Sequence, residues 1–97
     1  MQRYTCPACG YPGLLDEPRT ELSGGSFEIC PSCGIQFGYS DEHGGNAQGR
    51  ASFYRGWGTK WYLDGARWHA PDAPPAGWDG REQYRKHVDR SRDIAQR

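Results

Sequence analysis

The chain has 97 residues, and a chain of this length buries only about 60 to 65% of the surface that it exposes when unfolded. Hydrophobic residues make up 35% of it, and 14 glycines and 7 prolines favour loops, so we expect a thin core that needs a metal ion or disulfides. Its 12 basic residues balance its 12 acidic ones, which excludes attraction to nucleic acid or to an anionic membrane by net charge.

The N-terminus and the cysteine usage bear on the compartment. Residues 1–6 contain no apolar stretch typical of a signal peptide, and no segment approaches the roughly 20 apolar residues of a membrane span. We therefore expect a cytoplasmic protein with no membrane association. In a reducing compartment, four cysteines are more often metal ligands than two disulfides.

Two segments repeat nearly the same five residues, Cys-Pro-Ala-Cys-Gly at 6–10 and Cys-Pro-Ser-Cys-Gly at 30–34. We call each of these segments a knuckle. A Cys-x-x-Cys turn points two sulfurs at one centre, so two knuckles supply the four ligands of a tetrahedral metal. The 20 residues between the two cysteine pairs lie near the upper end of the spacing in four-cysteine zinc sites. The sequence therefore predicts one metal site with the ligands Cys6, Cys9, Cys30 and Cys33.

The other residues of the knuckles support this interpretation. Pro7 and Pro31 fix φ near −65°, while Gly10 and Gly34 can adopt positive φ and turn backbone amides toward the thiolates. Neither knuckle offers a histidine or carboxylate ligand, so the site is closed to a reactive water, which favours structural Zn²⁺ over catalysis. Iron in electron transfer and a redox-active dithiol pair are the alternatives.

Apolar and polar residues alternate on both sides of the second knuckle, which predicts a hairpin with the knuckle at its tip. One face would carry the apolar side chains of Phe27, Ile29, Ile35 and Phe37, with Tyr39 as a further candidate. Glu28 and Gln36 would face water. Residues 14–25 contain Pro18 and paired glycines and predict a surface loop. We therefore expect a metal-binding ribbon over residues 1–40.

Residues 4–11 and 27–39 resemble the small bacterial cysteine-rich proteins of the CPCC and zinc-ribbon-like kind. The resemblance extends into 60–68 and 74–78, whereas Ala8 and Ser32 stand apart from the Cys-Pro-Cys-Cys of the first CPCC knuckle. It implies a metal-binding ribbon with a helical appendage and no assigned reaction. The knuckles are also similar to those of rubredoxins, which hold one iron. The expected fold is small α+β, with zinc-ribbon or rubredoxin-like β-hairpins and C-terminal helices.

Aromatic residues recur at helical spacing in the segment 51–64, at Tyr54, Trp57 and Trp61, and Gly65 follows where a helix C-cap is expected. Gly56 and Gly58 each cost up to about 1 kcal/mol relative to alanine unless a close approach to the ribbon requires them. We predict a helix over 51–64 whose aromatic face packs on the ribbon. A stacking platform for nucleic-acid bases is the less favoured alternative.

Residues 70–78 contain three prolines and predict an extended connector. Asp79 as N-cap with Glu82 at N3 then predicts a helix over 79–95. Its narrow apolar face would comprise Tyr84, Val88, Ser91 and Ala95, with Ile94 beside it. The basic residues of this helix, among them Arg85, Lys86 and Arg90, are expected to form a solvated face more often than a phosphate-binding one.

The three histidines form no catalytic constellation. His43 follows Asp41 and Glu42 and is expected to be solvated, while His69 and His87 look isolated. The sequence has no serine–histidine–aspartate order and no phosphate-binding loop. We therefore expect a single domain, 1–97, that is not an enzyme and has no small-molecule substrate. It would hold Zn²⁺, or alternatively Fe, and bind a protein partner in preference to nucleic acid.

Overall fold

The structure is a computed structural model that describes residues 2–20, 24–44 and 46–95, with the backbone alone at 43, 44 and 91–95. Its regular elements are the antiparallel strands β1 (Arg19–Thr20) and β2 (Gly24–Gly25), a 3-10 helix (Ser40–Gly44) and the helices α1 (Ala47–Leu63) and α2 (Gly80–Ala95). Arg19 pairs with Gly25, and Thr20 pairs with Gly24. A small α+β fold with a two-stranded hairpin and two helices is therefore confirmed.

The two knuckles adopt nearly the same backbone conformation. In each, the N–H of the first cysteine donates to the carbonyl five residues later at 2.8 Å. The glycine N–H donates back to the carbonyl of that cysteine, and φ is +87° at Gly10 and +84° at Gly34. Residues 4–14 and 29–36 thus form two short hairpins, each closed by an isolated antiparallel bridge. The repeated sequence produces a repeated structure.

The second hairpin does not place its apolar side chains on one face as predicted. Ile35 and Phe37 are fully buried, but Phe27 is 62% exposed, Ile29 is 51% exposed and Tyr39 is exposed as well. Phe27 has φ +63°, in the left-handed region, so the alternation of side chains breaks at that residue. The prediction is wrong for these three residues.

The segment 14–25 is more than the predicted surface loop. Leu14 is fully buried, and the segment supplies both strands of the sheet. Glu28, which was expected to face water, accepts hydrogen bonds from the backbone N–H groups of Leu15 and Asp16 at 2.9 and 3.0 Å. Its carboxylate therefore ties this segment to the second hairpin.

The core is centred on the cysteines. It consists of Cys6, Ala8, Cys9, Leu14, Cys30, Cys33, Ile35 and Phe37. Partly buried aromatic side chains pack around it, from Tyr4, Tyr11, Phe53, Tyr54, Trp57 and Trp61. The sulfur atoms thus lie where a larger protein would have aliphatic side chains.

Helix α1 begins at Ala47, four residues before the predicted start, and ends one residue before the predicted end. The Asn46 side chain caps it by accepting from the Gly49 N–H at 2.8 Å. Residues 47–50 carry no apolar periodicity, so the sequence pattern did not reveal this first turn. Gly65, with φ +117°, follows the helix as expected.

The aromatic face of α1 packs on the knuckles, as predicted. The Trp57 indole N–H donates to the Cys33 carbonyl oxygen at 3.2 Å. At Gly58 a Cβ atom would come within 2.0 Å of the Ala8 carbonyl oxygen, whereas at Gly56 nothing lies within 4 Å. The close approach of helix and ribbon therefore accounts for Gly58 and leaves Gly56 unexplained.

Helix α2 begins as the sequence indicates. The Asp79 carboxylate accepts from the N–H groups of Arg81 and Glu82 at 3.0 and 3.2 Å, so the predicted N-cap is confirmed. Tyr84 stacks on Tyr62 of α1 with ring centroids 4.9 Å apart. The predicted contributions of Ser91, Ile94 and Ala95 fall on side chains outside the described set.

Within the described residues, no helix combines the length and apolar character that crossing a bilayer requires.

Candidate metal centre

The four cysteine sulfurs meet between the two knuckles. Their Sγ atoms all lie within 4.8 Å of one another, with Cys6 and Cys33 separated by 3.9 Å and Cys9 and Cys30 by 3.7 Å. Four sulfurs at a Zn–S distance of about 2.3 Å form a tetrahedron with edges of about 3.8 Å. The donor set and its spacing therefore fit a tetrahedral metal ion, and the structure brings together the four residues that the sequence predicts as ligands.

Burial and mutual contact control the protons on these sulfurs. Hydrogen bonding with Cys30 raises the pKa of both the Cys6 and Cys33 thiols, and burial adds to the shift. At Cys9, burial opposes ionisation, but hydrogen bonds from Cys30 and Cys33 outweigh it and lower the pKa. A metal ion that binds all four sulfurs must therefore displace protons from this cluster.

Helix α2 reaches the site through Gln83, which the sequence analysis did not identify. The Gln83 side-chain amide donates to the Ser32 hydroxyl at 3.0 Å and lies 3.5 Å from the Cys9 sulfur. Ser32 is fully buried, and its hydroxyl oxygen is also 3.5 Å from that sulfur. When Cys9 is a thiolate, the hydroxyl must be the donor. Gln83 and Ser32 therefore direct two donors at one ligand.

Each knuckle also packs against a histidine that looked isolated in the sequence. His87 Nε2 lies 3.1 Å from the Pro7 carbonyl oxygen, and the His69 backbone N–H donates to the Pro31 carbonyl at 3.0 Å. A Cβ on the knuckle glycine would come within 2.4 Å of His87 in one case and 2.6 Å of His69 in the other. These two histidines, which stand alone in the sequence, thus pack on the knuckles in the fold. The spacing of Gln83 and His87, which lie four residues apart and so share one face of α2, was the sequence signal that could have indicated these contacts.

A second polar cluster lies around Asp41. This fully buried carboxylate accepts hydrogen bonds from Gly38 N–H at 2.7 Å, from Arg19 at 3.1 Å and from the Tyr54 hydroxyl. Burial opposes its ionisation, but these donors outweigh burial and lower the pKa of Asp41. Burial and the neighbouring carboxylate raise the pKa of Tyr54 to about 12. The carboxylate of Asp41, in the 3-10 helix, thus connects that helix to Arg19 of β1 and to Tyr54 of α1.

Glu42, the neighbour of Asp41, also contributes to this cluster. Glu42 forms an ion pair with Arg19 at 2.6 Å. The side chain of His43 lies outside the described set. Glu42 and Asp41 thus share one guanidinium, and both serve to hold Arg19.

Comparison with known proteins gives bacterial relatives. Over 42 residues, which are 41% of the chain, it is 48% identical to "Uncharacterized protein YoaQ" and 43% identical to "Uncharacterized protein YozI", both of Bacillus subtilis (strain 168). The alignment covers 35% of each relative, so the chain spans about a third of the length of these curated proteins. No protein-family model and no solved structure matches.

Proposed function

We propose that the chain binds one Zn²⁺ ion through Cys6, Cys9, Cys30 and Cys33, as a structural centre in a zinc-ribbon module that is not an enzyme. The observation that carries this proposal is the set of four buried sulfurs at tetrahedral spacing. All four ligand positions would be filled by protein, which leaves none for a reacting water. The bound ion would supply charge neutralisation and cross-linking.

The contacts around the knuckles support a structural role. Trp57 of α1 binds the second knuckle, while Gln83 and His87 of α2 bind the first. Both helices are thus attached to backbone that the metal would hold in place. Because a small core contributes little stability, the free energy of metal binding becomes free energy of folding.

Elemental analysis and visible absorption of protein purified without added metal test this function. We expect about one zinc per chain and no visible colour, as for a d¹⁰ ion in a closed tetrathiolate site. A red protein with about one iron would instead indicate the rubredoxin-like electron-transfer alternative. A chain that holds neither metal would overturn the proposal.

We further propose a cytoplasmic role in binding another protein, with no small-molecule substrate. Two features support it: zero net charge, and exposure of four large apolar side chains on the ribbon, Leu15, Phe27, Ile29 and Tyr39. A nucleic-acid-binding ribbon would instead show affinity that falls steeply with salt and weakens when Arg85, Lys86 and Arg90 are replaced. We expect neither effect in a titration with DNA or RNA duplexes.

A further inference from the structure

A cleft on the ribbon is lined by residues from both knuckle hairpins and from the segments beside them. It has a volume of about 610 Å³, and its lining includes Arg3, Tyr11, Leu15, Glu28, Ile29 and Pro31. We call this surface the ribbon cleft. Leu15 is 60% exposed and Ile29 is 51% exposed, so the cleft leaves two large aliphatic side chains in contact with water. Apolar side chains exposed together at a concave surface favour a partner that covers them.

The ribbon cleft also carries one charge of each sign. Arg3 and Glu28 both line it, and within the described part of the chain neither forms an ion pair. The Glu28 carboxylate accepts from two backbone N–H groups, which leaves further lone pairs on its oxygens. The complement of this surface is therefore an apolar centre flanked by one carboxylate and one cation.

A second copy of this chain presents the complementary groups. In a dimer with two-fold symmetry, every contact between two residues occurs twice, once in each direction. An axis through the ribbon cleft places Arg3 of one copy opposite Glu28 of the other and repeats that pair on the far side of the axis. Leu15 and Ile29 of both copies then form the apolar centre. The net charge of zero imposes no long-range repulsion between the copies.

We propose that this chain forms a homodimer with two-fold symmetry through the ribbon cleft. The inference rests on the proposed role in protein binding and deepens it, because it names the partner. A standard interface buries about 800 Å² on each partner, which is about an eighth of the 6620 Å² that this chain exposes. The apolar centre has only two large aliphatic side chains from each copy. We therefore expect a reversible dimer with a micromolar dissociation constant.

Sedimentation equilibrium of the full chain, with its metal content measured, tests the dimer and its location. Leu15→Lys places like charges at the apolar centre and should weaken dimerisation by about 10-fold or more. Leu63→Lys is the matched control, since it makes the same change at an exposed leucine at the end of α1 and should leave dimerisation unchanged. A chain that stays monomeric up to about 1 mM, or equal losses in the two variants, would overturn the proposal.

A charge exchange tests the pairing across the axis. Arg3→Glu and Glu28→Lys each place like charges at both Arg3–Glu28 contacts, so each variant alone should dimerise more weakly than the parent chain. In an equimolar mixture, the two substituted side chains face each other with opposite charges, and the unchanged Arg3 and Glu28 form the second pair. The mixture should therefore dimerise again. A mixture that is as monomeric as its components would contradict the two-fold pairing.

Glu28→Lys also loses two hydrogen bonds to backbone N–H groups, so its fold is checked by circular dichroism. If this variant does not fold, the two leucine variants decide the proposal alone.

Metal content measured on the same samples separates this inference from the proposed function. A monomer with one zinc per chain would leave the metal centre standing and refute the dimer. A monomer that binds a different protein, and loses that binding in Leu15→Lys, would keep the role in protein binding and refute the second copy as partner. A dimer that holds no zinc would overturn the metal centre and support the dimer.

Discussion

Gln83 shows how one side chain can tune the cysteine cluster without being a ligand. Its amide lies within 3.5 Å of three groups, the Cys9 carbonyl, the Cys9 sulfur and the Ser32 hydroxyl. These contacts join residues that are 51 and 74 positions apart in the chain. Such pairing depends on how α2 docks, so the local sequence pattern could not predict it.

Gln83→Leu keeps a side chain of similar size but removes these donors. We expect zinc affinity to fall about 10- to 100-fold, because donors that orient a ligand and stabilise its charge typically have effects of this size. A competition titration with a zinc chelator measures it. Gln48→Leu, an exposed glutamine on α1, is the control and should leave the affinity unchanged. Equal losses in both variants would show that Gln83 has no specific role.

Asp41 leads to a prediction about how the stability of the fold depends on pH. Its pKa in the folded chain lies below its ordinary value of 3.8, so the unfolded chain takes up a proton first as the pH falls. The stability that Asp41 contributes should therefore be complete above about pH 4 and be lost as the pH falls through the lowered pKa.

Asp41→Asn should lower the free energy of unfolding at pH 7 by about 2 kcal/mol, since it removes a buried charge with three donors. Its denaturation midpoint should also change less between pH 5 and pH 3 than that of the parent chain. Glu42→Gln is the matched control, because Glu42 forms an ion pair with the same arginine from an exposed position, where an ion pair contributes little stability. A parent chain and Asp41→Asn with parallel pH profiles would refute this account.

At the scale of elements, the close contact between Gly58 of α1 and Ala8 of the first knuckle determines how the helix packs on the ribbon. Helical spacing of the aromatic residues was sufficient to predict that this helix exists and which face it buries. Its true start depends on Asn46, whose cap was not recognised because no large apolar residue follows within the first turn. The side-chain alternation predicted around the second knuckle was wrong because the positive φ at Phe27 reverses it. The residue pattern could not indicate that a phenylalanine adopts the left-handed conformation.

Two glycines in α1, one at this contact and one away from it, provide a matched test of the packing. Gly56→Ala should stabilise the zinc-loaded protein by up to about 1 kcal/mol, because the position is open and alanine favours the helix. Gly58→Ala should destabilise it by about 1 to 3 kcal/mol, since the added Cβ would strike the Ala8 carbonyl and push the helix off the knuckle. Chemical denaturation measures both, and two variants of equal stability would contradict the observed packing.

At the scale of the whole molecule, the cysteine cluster takes the place of an aliphatic core. Four of the eight core residues are cysteines, and only Leu14, Ile35 and Phe37 contribute large apolar side chains. The repeated Cys-Pro-x-Cys-Gly segments identified this centre in advance because their spacing leaves few geometric alternatives. The histidine, glutamine and tryptophan contacts around it required the tertiary structure, since their partners are distant in sequence.

The central claim is that a metal ion holds this fold together, and a thermal melt before and after chelation tests it most directly. The account predicts one cooperative transition for the metal-loaded chain, and loss of that transition when a strong chelator removes the ion. Returning zinc should restore it. A chain that melts at the same temperature with and without its metal would contradict the account, because the cysteine cluster would then be stable without the ion.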